Sequence, residues 1–176
     1  FQKAEFPAKP IALGLLLAPL AFPLILVGIG MRLQFTSLGV KPGLWLVAMG
    51  QTIYVLPLAI LNLRVGIANV SSSLEDAAIS LGASRIRTLV EIIAPACRST
   101  IIATLLITFT FAFDEFIIAY FLTNFEITLP IKIWTTLVTG FDPTVNAVGS
   151  GVFIFSVTLG LLAQILLFKR QPGKVS

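Results

Sequence analysis

"SSSLEDAAISLGASRIRTLVEIIAPACRS", residues 71–99, is the stretch that decides how the whole chain is read. Serine, charge and one glycine interrupt a sequence that is otherwise apolar on both sides. Leu74, Ala77, Ala78 and Leu81 recur at helical spacing, and so do Ile86, Leu89, Val90 and Ile93. The two sets are out of phase by one residue. The slip falls at Gly82-Ala83-Ser84, where glycine permits a turn. Ser72 and Glu75 form an S-x-x-E capping pattern at the start of the first helix, and Pro95 marks the end of the polar region or the first turn of the next span. The spacing predicts helix, glycine turn, helix. Such a pair either docks on a partner through its exposed faces, or lies on a membrane surface or packs beneath a bundle.

The surrounding composition points to a bilayer. Of 176 residues, 57% are hydrophobic and 11% charged, and the mean hydropathy is +1.00. Soluble domains carry about 25% charged residues, so in water this chain would expose large apolar patches. It has one cysteine and no histidine. That excludes a disulfide within the chain, argues against a Cys/His metal site, and leaves a nucleophile without its usual imidazole base. An enzyme is not expected. Scattered basic residues argue against nucleic-acid binding.

Uncharged runs lie between Lys9 and Arg32, between Lys41 and Arg64, and between Asp142 and Lys169. A fourth follows Arg98 and is interrupted by Asp114-Glu115. About 20 helical residues cross a bilayer core. The expected fold class is therefore all-α: a polytopic transmembrane helix bundle of four spans, residues 10–32, 43–65, 98–123 and 143–168, with a loop at 69–97. Pro19, Pro23 and Pro57 fall inside spans and predict kinks. If the N-terminus is cytoplasmic, nine of the twelve Lys and Arg residues lie inside and three, Arg32, Lys41 and Lys132, lie outside. The bias puts both termini and the 71–99 stretch in the cytoplasm. An outer loop with a short amphipathic piece is expected over 128–137, with Trp134 as an interface anchor and a turn at Phe141-Asp142.

"DAAISLGASRIRTLVEIIAP", residues 76–95, resembles the cytoplasmic signature loop of ABC-importer permeases: E-A-A, three residues, G, nine residues, I-x-L-P. Asp76-Ala77-Ala78 stand for E-A-A beside Glu75, Gly82 and Ile92 keep the spacing, and Pro95 closes it; Ala94 replaces the leucine. "FDEFIIAYFLT" (113–123), "TLPIKIWTTLVTGFDPTVNAVGS" (128–150) and "VGIGMRLQFTSLGVKPGLWLVAMGQTIYVLPLAI" (27–60) are similar to the spermidine/putrescine branch of these type I, binding-protein-dependent permeases.

The resemblance implies a multi-pass permease of a bacterial-type inner membrane, whose loop seats in an ATPase subunit. Its partners would be ABC ATPase subunits, a second, related permease, an extracytoplasmic solute-binding protein and membrane lipid. ATP would be hydrolysed by the partner, with no cofactor on this chain. It also implies two further spans ahead of Pro10, so that residues 1–176 form the C-terminal part of one permease domain. From another class, a stand-alone four-helix channel or scaffold with a surface-lying helix pair remains open.

Asp114 and Glu115 are the acids inside a span, which is costly in lipid. They are candidates to pair with a cationic substrate, or else close a structural salt bridge or face the interface. Gln51 and Tyr54 are softer pathway candidates. Polar groups in spans, among them Asn146, Ser150 and Ser156, often bond only to a neighbouring helix.

Overall fold

The computed structural model describes residues 8–140 and 143–168. Lys3, Lys169, Arg170, Lys174 and the expected Phe141-Asp142 turn lie outside the described residues. Every element among the described residues is helical.

Two helices are long and apolar enough to cross a membrane: α3 (Leu44–Ala68) and α10 (Pro143–Phe168). α10 fills its uncharged run, and α3 starts in its run and continues through Arg64 to Ala68. Pro57 sits inside α3 and is buried without ending it. Two bent pairs, Lys9–Ala21 with Leu24–Ser37 and Arg85–Ala96 with Arg98–Phe113, bring the number to as many as four if each is one span.

The first bent pair lies in the expected 10–32 span, and its break falls among Pro19 and Pro23, where kinks are expected. α1 (Lys9–Leu17) runs into a 3-10 turn over Ala18–Ala21, and α2 (Leu24–Ser37) then leaves at 104°. The cause is local. A residue before proline is driven out of the helical region, and Phe22 is extended at φ −102°, ψ 137° ahead of Pro23.

The 71–99 stretch begins with α4 (Ser72–Ser80). Its cap is Ser71, whose side chain accepts from the Ser73 amide at 3.3 Å, and not the Ser72 of the expected capping pattern. At the other end Gly82 takes φ +85°. Its N–H donates to Ile79 O at 2.9 Å and the Ala83 N–H to Ala78 O at 3.0 Å, a Schellman arrangement that satisfies the last carbonyls. Ser84 then caps α5 (Arg85–Thr88), accepting from the Arg87 amide at 3.3 Å. A π-helical turn over Leu89–Ile93 and the short α6 (Ala94–Ala96) come next. A 75° elbow at Cys97 leads into α7 (Arg98–Phe113), so the next long helix begins at Arg98, and Pro95 belongs to the short helix before the elbow.

Within the expected 98–123 span the helix is interrupted at the two acids. α7 ends at Phe113, residues 114–116 are non-helical, and α8 (Ile117–Leu122) starts afresh. The broken unit runs antiparallel to α3. Gly66 lies against Thr100, the Gln51 side chain reaches Ala112 O, and the Gly43 N–H reaches Leu122 O. The buried core is where α8 meets α3, with Leu46, Ile118, Ala119 and Leu122 all at 0% exposure. Amphipathic α9 (Leu129–Thr139) adds Ile131 to it. α10 packs on α7 through Phe109, Phe113 and Phe155, with ring centroids 5.7–6.3 Å apart. Its other face is bare: Phe153 and Ile154 are exposed. That face suits a lipid surround better than water.

Candidate functional site

Two regions carry the residues singled out by sequence. The first is the α4–α5 pair. Asp76 and Ala77 are exposed on α4, Glu75 is half-buried, and Ala78 is buried. Gly82 is exposed at the turn, with nothing within 4 Å of where a Cβ would stand. Ile92 is half-buried in the π-helical turn and Pro95 is exposed beyond it. The predicted apolar faces are largely uncovered: Leu81 is 89% and Ile86 77% exposed, and Leu74, Leu89 and Val90 are open too. Only Ala78 of the first set is buried, and Thr88, outside both sets, is the inward residue of α5. Among the described residues, little covers these faces. Across α5 an exposed Arg87–Glu91 ion pair at 2.8 Å holds the Arg87 guanidinium above its usual range.

The second region is the break between α7 and α8. Its two acids have separate environments. Glu115 is 6% exposed, and its Oε1 and Oε2 accept from the Ile118 and Ala119 amides at 2.7 and 3.1 Å. These are first-turn N–H groups of α8 that have no partner within the helix. A carboxylate there also complements the positive end of the helix dipole.

Asp114 is exposed and sits at the C-terminal end of α7. The negative pole of α7 is beside it, so carboxylate and dipole reinforce one another and the spot favours a cation. Its Oδ1 accepts from Ser156 on α10 at 3.1 Å. Asp114 lines two clefts. One, of about 380 Å³, includes Tyr54, Phe111, Glu115, Phe116 and Ile117. The other, of about 260 Å³, includes Phe113, Phe116 and Trp134. Among the described residues, neither lining contains Lys or Arg. Trp134, expected as an interface anchor, stacks at a tilt on Phe116 with centroids 5.6 Å apart.

Tyr54, Asp114 and Glu115 thus meet at one cleft, while Gln51 is not in its lining. The Gln51 amide donates to Ala112 O at 3.0 Å and ties α3 to the last turn of α7. Sequence reasoning missed Arg32, taken above only as a charge outside the membrane. Its Nη1 donates to Phe121 O at 2.9 Å and Thr123 O at 3.1 Å, at the far end of α8. Among the described residues no group of three or more His, Cys, Asp or Glu could hold a metal ion.

Comparison with known proteins adds a family match. The family described as "Binding-protein-dependent transport system inner membrane component" matches residues 5–170. The chain is 26% identical over 171 residues to the spermidine/putrescine transport system permease protein PotC of Escherichia coli K12, covering 96% of this chain and 64% of that protein. It is 25% identical over 166 residues to the putrescine transport system permease protein PotI of the same organism, covering 90% and 59%. It is 30% identical over 150 residues to a probable molybdenum ABC transporter permease protein of Haloferax volcanii, covering 80% and 56%. The chain spans less than two thirds of the length of each of these relatives.

Proposed function

The chain belongs to the family of binding-protein-dependent transport system inner membrane components, and from that premise we propose that it is part of the translocation subunit of an ATP-driven importer. In this reading it crosses the membrane four times with both termini cytoplasmic, α1–α2 and α7–α8 each counting as one broken span. It works with a second permease, ATPase subunits and a solute-binding protein. It hydrolyses nothing itself.

Coupling to the ATPase runs through residues 71–95. What supports this is the uncovered apolar surface around Leu81 and Ile86, presented by a helix pair whose first member carries Asp76-Ala77-Ala78 and is ended by a positive-φ glycine. Exposed apolar patches rimmed by charge mark docking surfaces, and a helix can dock its apolar face in a groove.

The proposed cargo is a small organic cation of the polyamine class. The observation that carries it is Asp114, a carboxylate at the negative end of α7, lining clefts whose other contributors include Tyr54, Phe111, Phe116 and Trp134. Aromatic faces and a carboxylate suit an ammonium group. A relative named for molybdenum keeps other cargo in view, but a lining without Lys or Arg fits a cation better than an anion.

The coupling half is tested by co-purification. The full-length permease is expressed with its sister permease and ATPase, as wild type and as Ile86→Glu and Gly82→Trp. Wild type should retain the ATPase, and both variants, still inserted, should lose it. A wild type that inserts without retaining ATPase, or variants that retain it equally, would support the channel or scaffold reading. For the cargo half, Asp114→Asn should raise KM for a polyamine. An unchanged KM removes Asp114 from the pathway.

A further inference from the structure

We propose that Arg32 and Glu115 are paired end-clamps of α8, positioning residues that hold the wall of the Asp114 cleft and do not themselves bind cargo. α8 has six residues, Ile117–Leu122. A helix of about 12 residues is already marginal alone in water, because nucleation is unfavourable. In an apolar setting the orphan groups at its ends need partners within the protein.

α8 has these partners at both ends, and each carries the charge that the helix dipole favours. Glu115 takes the Ile118 and Ala119 amides at the positive end. At the negative end Arg32 takes Phe121 O and Thr123 O, while the Gly43 amide takes Leu122 O at 2.9 Å. Arg32 comes from α2, 89 and 91 residues away in sequence from the carbonyls it binds.

The flanks of α8 are equally fixed. A Cβ on Gly28 of α2 would stand 3.2 Å from Phe121, and one on Gly50 of α3 would stand 2.5 Å from Ile118 and 2.7 Å from Leu122. Phe116, Ile117 and Glu115 at the start of α8 line the cleft that holds Asp114. A shift of α8 would therefore reshape that cleft. The tie through Arg32 makes α2 and α8 move together.

The two roles open to Glu115 predict opposite behaviour for Arg32. If the local charge acts on a cationic cargo, removing Arg32 removes a repulsion, and KM falls or stays. If Arg32 clamps α8, its loss resembles the loss of Glu115.

The proposal rests on the translocation reading above, so the test has two independent readouts. The full-length permease with its partner subunits is prepared as wild type, Arg32→Gln, Arg32→Lys and Glu115→Gln. Amide hydrogen exchange over residues 117–123, measured by mass spectrometry, needs no cargo. It should be about tenfold faster or more in Arg32→Gln and Glu115→Gln, as expected for lost charge-assisted hydrogen bonds, with Arg32→Lys between. ATP-driven uptake of spermidine by proteoliposomes should then show a lower maximal rate in both Gln variants with KM unchanged, in contrast to Asp114→Asn. Unaltered exchange in either Gln variant overturns the clamp. Faster exchange with normal uptake overturns its role at the cleft, and a raised KM for Glu115→Gln with normal exchange makes Glu115 a cargo ligand. A wild type that moves no solute overturns the translocation reading and leaves the exchange result to judge the clamp alone.

Discussion

Gly66→Ala probes the contact on which the pairing of α3 with α7 depends. A Cβ on Gly66 would stand 2.3 Å from Thr100 Cγ2, 2.6 Å from its Oγ1 and 2.7 Å from its Cβ. Comfortable carbon contacts lie at about 3.5–4.0 Å. Rotating Thr100 about χ1 moves Cγ2 and Oγ1 but leaves its Cβ in place, so no rotamer clears the new methyl. The helices must part by roughly 0.8 Å or more. Overpacking of this kind costs about 1–3 kcal/mol, against about 0.8–1.0 kcal/mol gained when alanine replaces glycine in a helix. Gly30 on α2 supplies the comparison, because nothing lies within 4 Å of its Cβ position and only the gain applies. Thermal unfolding of the full-length permease in one detergent should therefore rank Gly30→Ala at or above wild type. Gly66→Ala should lie below Gly30→Ala by the steric term of about 1–3 kcal/mol. In a Thr100→Gly background Gly66→Ala should no longer destabilise. Equal melting of the two alanine variants, or undiminished damage in the Thr100→Gly background, would refute the close-contact reasoning.

Other consequences are simpler to check. Gly82→Ala meets open space but forces a left-handed residue at φ +85°, so it should destabilise α4 by about 1–2 kcal/mol, with Gly82→Asn milder; equal stability of all three forms would contradict this. Arg87→Ala removes an exposed ion pair and should leave the melting temperature unchanged, since such pairs contribute little; a clear drop would mean the pair does more than the geometry suggests. Cys97 is 3% exposed, with its Sγ 3.6 Å from Gly66 O. It should resist a polar maleimide in the folded chain and react promptly once unfolded. Fast labelling of folded protein would show that the elbow opens.

How much of the fold is legible in the sequence depends on the range of the forces involved. α3 and α10 are set by long uncharged runs, a property of composition; α10 matches its run from Pro143 to Phe168, while α3 continues past Arg64 to Ala68. The helix–turn–helix of 72–88 is likewise local, because phase, a capping serine and a turn glycine all act within a few residues. Three consecutive serines, Ser71–Ser73, leave the cap register undecided by type alone, and Ser71 takes it. Ser-Leu-Gly ends both α2 and α4 with the same left-handed glycine, at Gly39 and Gly82, although only Gly82 sits in a recognisable motif.

Breaks are harder to read. Pro23 announces a kink, but the 104° turn also depends on Phe22 becoming extended. Asp114-Glu115 read as acids tolerated inside one helix, although an acid ahead of an apolar run is also a helix-start signal. The role of Arg32 lies beyond sequence reasoning. Its partners are carbonyls about ninety residues away, and no local pattern encodes such a reach.

The most direct measurement is ATP-driven uptake by proteoliposomes holding the full-length permease, its sister permease and the ATPase, with the solute-binding protein outside. Radiolabelled spermidine should accumulate only when ATP, the binding protein and an intact Asp76–Pro95 loop are all present, and Gly82→Trp should abolish accumulation. Solute flux that proceeds without ATP and ignores Gly82→Trp would contradict the account and identify a channel.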